Sequence, residues 1–213
     1  IVFYRFLIAF SVGLLLIPFN PRWKAHLFHE FKLSVVGGLL LGTTLVLQTS
    51  GLKYTTATKS AFITTLYVVI VPIIASLFLK QKLHRTHWLW VLIALGGTLL
   101  ISELNFNQWS IGDTMTFMNA ITASLHIIYI SRVAPRSGHH FVFNIFQSFW
   151  IMLISLLLLP FGGNWDISGM PNLAWVGLLS MSLGSSLLGF FLQVKAQKEI
   201  SPSVASILFL LES

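Results

Sequence analysis

The feature that most restricts the fold of this chain is a series of long segments without any Asp, Glu, Lys or Arg. Each can hold one membrane-spanning helix, which needs about 20 apolar residues to cross the hydrocarbon core of a bilayer. These segments are 33–52, 60–79, 86–102, 114–131, 137–165 and 167–194. Residues 1–19 and 200–213 have the same apolar character. The sequence therefore predicts an all-α polytopic membrane protein with seven spans and the start of another.

Charge and cysteine content exclude several other classes of protein. Only 9% of the 213 residues are charged, whereas a soluble domain has roughly a quarter. The net charge is +7, but the basic residues lie in short loops between spans, so no nucleic-acid partner is predicted. The absence of cysteine excludes disulfides and thiolate chemistry. Because both Ile1 and Ser213 lie inside apolar runs, we expect helices to be missing at both ends.

The loops alternate in charge, and this alternation predicts the orientation of the spans. One set of loops carries ten Lys and Arg residues, and the opposite set carries two. Basic loops lie on the cytoplasmic side of a membrane, so the first set is predicted to be cytoplasmic. The basic set is Arg22, Lys24, Lys32, Lys80, Lys82, Arg85, Arg132, Arg136, Lys195 and Lys198, and the opposite set holds Lys53 and Lys59 with Glu103, Asp113 and Asp166.

Two segments of the chain share a pattern that predicts an internal repeat. "LKYTTATKSAFITTLYV", from residue 52, and "VKAQKEISPSVASILFLLES", from residue 194, both pass from an apolar-Lys pair through a polar turn into a helix. Five predicted spans lie between them, and an odd number of spans inverts the second copy in the membrane. Inverted-topology repeats are a common plan among secondary transporters.

Four stretches carry a resemblance to a known family: "YRFLIAF", "GLKYTTATKSAFITTLYVVIVP", "LKQKLHRTHWLWVLIALGGTLLI" and "AQKEISPSVASILFLLES". With these the chain resembles the drug/metabolite transporter superfamily, specifically its EamA-type members. The family pattern of ten helices in two five-helix repeats implies a first repeat at 1–111 that lacks its first helix. It implies a second repeat at 112–213 that is truncated in its fourth helix. The chain departs from the pattern at Gln81, where Glu is usual, and at Ser213, where Pro is frequent.

The resemblance implies a function as well as a fold. It implies a secondary transporter that moves a small organic metabolite across the cell (inner) membrane by alternating access, without enzymatic activity and without a cofactor. Its partners are then a small-molecule substrate, the lipid bilayer and a coupling proton or ion. The chain has no G-x-x-x-x-G-K-[ST] motif for ATP. A gradient would therefore have to supply the energy.

Polar side chains inside the spans are the candidate substrate contacts, because an unpaired polar group in hydrocarbon costs several kcal/mol. His126 is also the candidate for proton coupling, since histidine titrates near neutral pH. Taken alone, each residue favours an interhelical hydrogen bond over a substrate contact, and Trp150 favours a lipid-facing position. The candidates are Thr44, Gln48, Thr64, Tyr67, Asn119, His126, Asn144, Trp150, Ser186, Gln193 and Glu212.

Small residues and one arginine complete the predictions within the spans. Gly38 and Gly42 form a GxxxG pattern, and Ser185 and Gly189 repeat the spacing, so both pairs are predicted to allow close helix packing. Arg5 lies inside the first predicted span. It could meet an anionic group or extend to the lipid headgroups.

Histidines in the loops leave one alternative function open. A polytopic membrane enzyme acting on lipid could use pairs of loop histidines, and such pairs could also bind a metal. However, no Asp or Cys lies beside them, so an interfacial role without a metal is predicted. The relevant residues are His26, His29, His84, His87, His139 and His140.

Overall fold

The protein is seen here as a computed structural model, which describes residues 1–79, 85–102, 109–158 and 169–210. Within these ranges the chain forms helices joined by short turns. The helices are α1 (Val2–Leu16), α2 (Pro21–Lys24), α3 (Leu27–Gly51), α4 (Ala57–Thr65), α5 (Tyr67–Leu79), α6 (Arg85–Ser102), α7 (Ile111–Val133), α8 (His140–Leu158), α9 (Asn172–Ser180), the π-helix π1 (Met181–Gly189), α10 (Phe190–Ala196) and α11 (Pro202–Phe209).

Five helical stretches in the described ranges are long and apolar enough to cross a membrane. They are Val2–Phe19, Leu27–Gly51, Ala57–Leu79, His140–Leu158 and Asn172–Ala196. This confirms the predicted all-α polytopic architecture. α7 is 23 residues long, but it carries the polar residues Thr116 and Asn119, which lower its hydropathy. Both are buried, which is how a helix in a membrane accommodates polar side chains.

The chain forms two compact units. Unit 1 contains Ile1–Gly42 and Arg132–Glu199, and unit 2 contains Thr43–Ser131 and Ile200–Ser213. The boundaries fall inside α3 and inside α7, so each unit takes helices from both halves of the sequence.

Glycines in unit 1 allow the close helix packing that the sequence predicts. A Cβ added at Gly38 would overlap the Cβ of Trp150 on α8 and lie 3.0 Å from the carbonyl oxygen of Gln147. A Cβ at Gly42 would overlap the Cγ2 of Ile154. The GxxxG prediction for α3 is thereby confirmed, since only glycine allows this approach.

Replacing Gly38 with alanine should destabilise the protein by about 1–3 kcal/mol, because the added methyl group overpacks the contact with Trp150. Gly177 in α9 is the matched control, since a Cβ there meets nothing within 4 Å. Alanine favours a helix over glycine by about 1 kcal/mol, so Gly177→Ala should be neutral or stabilising. Unfolding of the purified variants in mixed detergent micelles measures both effects. Equal effects of the two substitutions would contradict the packing argument.

The apolar core of unit 2 contains α5 and α11. α11 follows the second repeat-related turn directly, whereas α4 follows the first turn and leads into α5. Tyr67, Val68 and Val71 of α5 and Ala205 of α11 belong to one buried apolar cluster. The two turns also end alike. Thr56 caps α4 by accepting a hydrogen bond from the Lys59 amide, and Ser201 caps α11 by accepting one from the Val204 amide.

The helical segment of residues 57–79 divides at Leu66 and not at Pro72, although proline is the residue that most often bends a helix. The hydroxyl of Thr65 donates to the Phe62 carbonyl at 2.6 Å, which is the acceptor that the Leu66 amide would use in an α-helix. The Leu66 amide instead donates to Ile63 at 3.2 Å. Competition from a threonine hydroxyl therefore separates α4 from α5, a known effect of Ser and Thr in helices, while Pro72 lies inside α5.

Candidate functional site

A row of polar contacts joins α4 to α7 inside unit 2. The hydroxyls of Ser60 and Thr116 lie 3.3 Å apart, and Asn119 Nδ2 donates to Thr64 Oγ1 at 3.1 Å. Asn119 is 0% exposed, and its Oδ1 has no hydrogen-bond partner among the described residues. A buried acceptor without a hydrogen bond costs free energy. A solute or a water that donates to Asn119 Oδ1 would therefore be stabilised there.

A second polar contact in unit 2 connects α7 to α3. The hydroxyl of Thr44 donates to that of Thr122 at 2.9 Å. Near the end of α3, Gly51 and Gly112 allow the two backbones to meet, since a Cβ on Gly112 would lie 2.5 Å from the Gly51 carbonyl oxygen. Thr44 is buried and Gln48, one turn later, is half-buried. α7 thus presents polar side chains to both α3 and α4.

An ion pair lies at the start of the same α4–α7 contact. Lys59 Nζ is 2.6 Å from Asp113 Oδ2. Asp113 also accepts hydrogen bonds from Thr55 Oγ1 at 2.5 Å and from the Ser110 amide at 2.7 Å. Burial by itself raises the pKa of Asp113, but the hydrogen bonds from Lys59, Ser110 and Thr55 outweigh it and lower that pKa from 3.8 to about 2. Asp113 is therefore ionised at neutral pH.

In unit 1 the polar centre is the π-helix π1. Its wider turn is shown by the Phe190 amide, which donates to the Ser185 carbonyl five residues earlier. Asn144 of α8 donates through Nδ2 to the carbonyl oxygens of Ser186 at 3.1 Å and Leu187 at 2.9 Å. Within the described residues, Asn144 Oδ1 has no hydrogen-bond partner. π-helical segments are rare and frequently lie at functional sites.

Arg5 extends from α1 to π1. Its Nε donates to Ser186 Oγ at 2.6 Å and its Nη2 donates to Ser185 Oγ at 2.9 Å. Ser186 is buried, whereas Arg5 and Ser185 keep part of their surface exposed. The sequence left open whether Arg5 meets an anion or extends to headgroups, and the structure places its guanidinium against the serines of π1.

Glu30 is a buried carboxylate at the end of unit 1 that the loop charges predict to be cytoplasmic. This carboxylate is 0% exposed and accepts hydrogen bonds from Ser137 Oγ at 3.0 Å, the Gly138 amide at 2.6 Å and the His139 amide at 3.1 Å. α8 begins at the next residue, so Glu30 caps that helix from α3. A Cβ at Gly138 would overlap the His26 ring. Burial and His26 lower the pKa of His139, while Glu30 opposes them.

The other predicted site residues occupy several environments. Tyr67 lies in the apolar cluster of unit 2, and His126 is buried in α7. Trp150 packs against Phe31 with ring centroids 4.9 Å apart and donates to the Phe31 carbonyl. Gln193 Nε2 donates to Gln197 Oε1 at 3.4 Å. Glu212 and His84, and the side chain of His87, are outside what the structure describes.

Three charged residues that the sequence analysis did not select belong to these clusters. Lys59 and Asp113 were used only to orient the loops, and their pairing follows from the packing of α4 on α7. Glu30 could have been selected from the sequence, because it is an acidic residue among the basic residues of the loops that are predicted to be cytoplasmic. A carboxylate in such a position favours an internal hydrogen-bonding role, and the structure assigns it one.

The sequence model of the EamA-like transporter family matches residues 1–103 and 110–213 of the chain. The chain belongs to the EamA-like transporter family. This confirms the resemblance to the drug/metabolite transporter superfamily, and the two matched ranges show two copies of the family domain. The chain is therefore a multi-pass membrane protein of the EamA-like transporter family.

Two further similarities agree with membership of the EamA-like family. A protein of Archaeoglobus fulgidus described as an uncharacterized transporter is 34% identical over 151 residues, which cover 71% of this chain and 45% of that protein. The chain thus matches less than half the length of this curated relative. A solved crystal structure with 14% sequence identity has a TM-score of 0.77 and covers 99% of this chain and 73% of that one. At this identity the likeness shows the fold alone.

Proposed function

We propose that this EamA-like protein is a secondary carrier that moves a small organic metabolite by alternating access between two inverted repeats. Family membership supports transport. The observation that carries the finer proposal is the buried polar row between α4 and α7, in which Asn119 is held by Thr64 and has an unmet acceptor. The Asn119 amide can exchange its hydrogen bond to Thr64 for one to a solute, because a hydrogen bond in a site without water is strong with either partner.

The repeat-related turns support the inverted plan. Thr56 and Ser201 cap corresponding helices, while the loop charges predict that the first turn lies outside and the second inside. We assign the carrier to the cell (inner) membrane. We also assign it a coupling proton or ion. His126 is the candidate proton-binding residue, because it is a histidine on α7, the helix that holds Asn119.

Flux in proteoliposomes tests the carrier. The full-length protein should take up labelled metabolites from a chemically varied panel. Unlabelled substrate inside the vesicles should accelerate entry, because alternating access returns the loaded carrier faster. Flux with channel-like conductance and no such acceleration would contradict the proposal. A pH gradient across the same vesicles tests coupling, and accumulation that is equal in wild type and His126→Gln would contradict the role of His126.

Asn119→Ala should raise the KM of transport about tenfold, which corresponds to the loss of roughly one hydrogen bond of 1.4 kcal/mol. Asn172 is the matched control, because it is an exposed asparagine at the start of α9, and Asn172→Ala should leave KM unchanged. Both variants are first shown to unfold like the wild type. An unchanged KM in Asn119→Ala would remove this residue from the site.

A further inference from the structure

Four of the five spans in the described ranges have an end in the same part of unit 1. These ends are the last residues of Val2–Phe19 and Asn172–Ala196 and the first residues of Leu27–Gly51 and His140–Leu158. The Trp23 ring packs on Phe141 of α8 with ring centroids 5.0 Å apart, and Phe141 packs on Phe191 of α10 at 5.5 Å. Because a span ends where the hydrocarbon ends, this part of unit 1 lies at a membrane surface.

Six exposed basic residues surround these span ends, and together they are called the basic end. They are Arg22 and Lys24 of α2, Lys32 of α3, Arg136 before α8, and Lys195 and Lys198 at the end of α10. His29 of α3 donates through Nε2 to the Arg136 carbonyl at 3.1 Å, which fixes the chain before α8 beside α3. The basic end is therefore one surface built from several helices.

The carboxylates of unit 1 do not neutralise the basic end. Glu30 accepts hydrogen bonds from Ser137, Gly138 and His139 with its two oxygens. In the part of the chain that the structure describes, the one ion pair joins Lys59 to Asp113 in unit 2. Six exposed cations thus face the solvent or the lipid without a carboxylate partner in the described residues.

Exposed aromatic rings lie beside these cations. Phe19 is 84% exposed at the end of its span, and Phe28 is 71% exposed at the start of the next. Lys32 Nζ lies 4.2 Å from the centroid of the Phe28 ring, one helical turn earlier on the same face of α3. An ammonium group beside an exposed ring matches a phospholipid, which has a phosphate next to apolar acyl chains.

We propose that the basic end, with Phe19 and Phe28, binds an anionic phospholipid of the predicted cytoplasmic leaflet. The Lys and Arg side chains bind the phosphate, since charge-assisted hydrogen bonds to phosphate are strong. The two phenylalanine rings contact the acyl chains close to the headgroup. An acidic protein segment would match the charges but not the rings, so the lipid is favoured. A lipid bound here contacts several span ends at once and stabilises their packing.

Thermal unfolding of the full-length protein in neutral detergent micelles tests the proposal. The titrated probes are phosphatidylglycerol, zwitterionic phosphatidylcholine and glycerol 3-phosphate, which has the phosphate without acyl chains. We expect phosphatidylglycerol to raise the unfolding temperature and the other two to do so at least tenfold less effectively, since a ligand of the folded state stabilises it. No effect of phosphatidylglycerol, or an equal effect of phosphatidylcholine or glycerol 3-phosphate, would overturn the proposal.

Variants assign the effect to the basic end. Arg22→Gln with Lys24→Gln and Lys32→Gln should weaken phosphatidylglycerol binding on the order of a hundredfold, because each basic residue near an anionic headgroup contributes about fivefold. Lys53→Gln is the control at an exposed lysine of unit 2 and should bind as the wild type does. All variants are first shown to unfold like the wild type without lipid.

A second set of substitutions replaces the first if the triple variant does not fold. It is Arg136→Gln with Lys195→Gln and Lys198→Gln, and it should weaken binding to a similar extent. Phosphatidylglycerol binding that a folded triple variant leaves unchanged would place the lipid elsewhere and overturn the proposal.

Polyglutamate separates the lipid from an acidic protein partner. Stabilisation by polyglutamate that the triple variant removes, with none by phosphatidylglycerol, would overturn the assignment to a lipid. Phe28→Ala should weaken phosphatidylglycerol binding severalfold and leave any effect of polyglutamate unchanged, because only the lipid has acyl chains for the ring to contact. Equal phosphatidylglycerol binding in Phe28→Ala and the wild type would contradict the contact between this ring and the lipid.

Discussion

Replacing Asp113 with alanine should destabilise the protein by about 3–5 kcal/mol, because breaking a buried ion pair leaves the other charge uncompensated. Lys59 is 8% exposed and its Nζ lies 2.6 Å from the carboxylate that is removed. The substitution also removes the acceptor of the Thr55 hydroxyl and the Ser110 amide. Unfolding of the purified protein in mixed detergent micelles at neutral pH measures the loss.

Two further variants distinguish the ion pair from a general effect. Asp113→Ala combined with Lys59→Met should recover much of the lost stability, because the double variant buries no charge. Lys53→Met, at an exposed lysine of the same turn, should change the stability by less than about 0.5 kcal/mol. Purely additive effects of the Asp113 and Lys59 substitutions would show that the pair is not coupled.

The same pair predicts a direction for the pH dependence. The pKa of Asp113 is about 2 in the folded protein against an ordinary value of 3.8. The unfolded chain therefore binds this proton more readily, and the stabilisation is complete above roughly pH 5 and lost as the pH falls towards 2. Unfolding measured from neutral pH downwards should show this loss in the wild type and a smaller one in Asp113→Ala. Parallel curves would contradict the low pKa.

Replacing Glu30 with glutamine should cost about 3 kcal/mol, because three hydrogen bonds to a charged group, worth about 1.5–3 kcal/mol each, become bonds to a neutral group, worth about 0.5–1.5 kcal/mol each. Oε1 accepts from the Gly138 and His139 amides and Oε2 accepts from Ser137, so the glutamine nitrogen would take the place of Oε2 and the Ser137 hydroxyl would have to accept from it. The start of α8 would then keep only an uncharged cap. The free energy of unfolding measures this loss.

Glu199→Gln is the matched control for Glu30. Glu199 is exposed on the loop after α10, so the same change of charge there should alter the stability by less than about 0.5 kcal/mol. If both variants lost the same stability, the effect would come from net charge and not from the three hydrogen bonds that Glu30 accepts.

Much of the architecture could be predicted from local patterns. Span length follows from the thickness of the bilayer, and Gly38 and Gly42 indicate a packing face because only small residues permit close contact. The polar turn after residue 52 predicts the start of a helix, and the structure has that start capped by Thr56. These predictions need only neighbouring residues, which is why they agree with the structure.

Pairings between distant residues could not be predicted in the same way. Loop charge placed Lys59 and Asp113 on one side of the membrane, but their contact depends on how α4 packs against α7. Arg5 had two possible environments until π1 was located, because a π-helix has no clear sequence signal. The division at Leu66 depends on one hydrogen bond, from the Thr65 hydroxyl to the Phe62 carbonyl. In the sequence, Pro72 is the stronger indication of a bend.

The composition of unit 1 has a consequence for biosynthesis. Residues 1–42 and 132–199 build this unit, so the glycine face of α3 is synthesised before its partner helix α8. At about 5–20 residues per second, the ribosome needs roughly 4–18 seconds to make the chain between them. During that time α1 and α3 must persist in the bilayer as separate helices. Each of these helices must therefore be apolar and long enough to insert before it packs. Its packing surface meets a partner only after the second half of the chain has been synthesised.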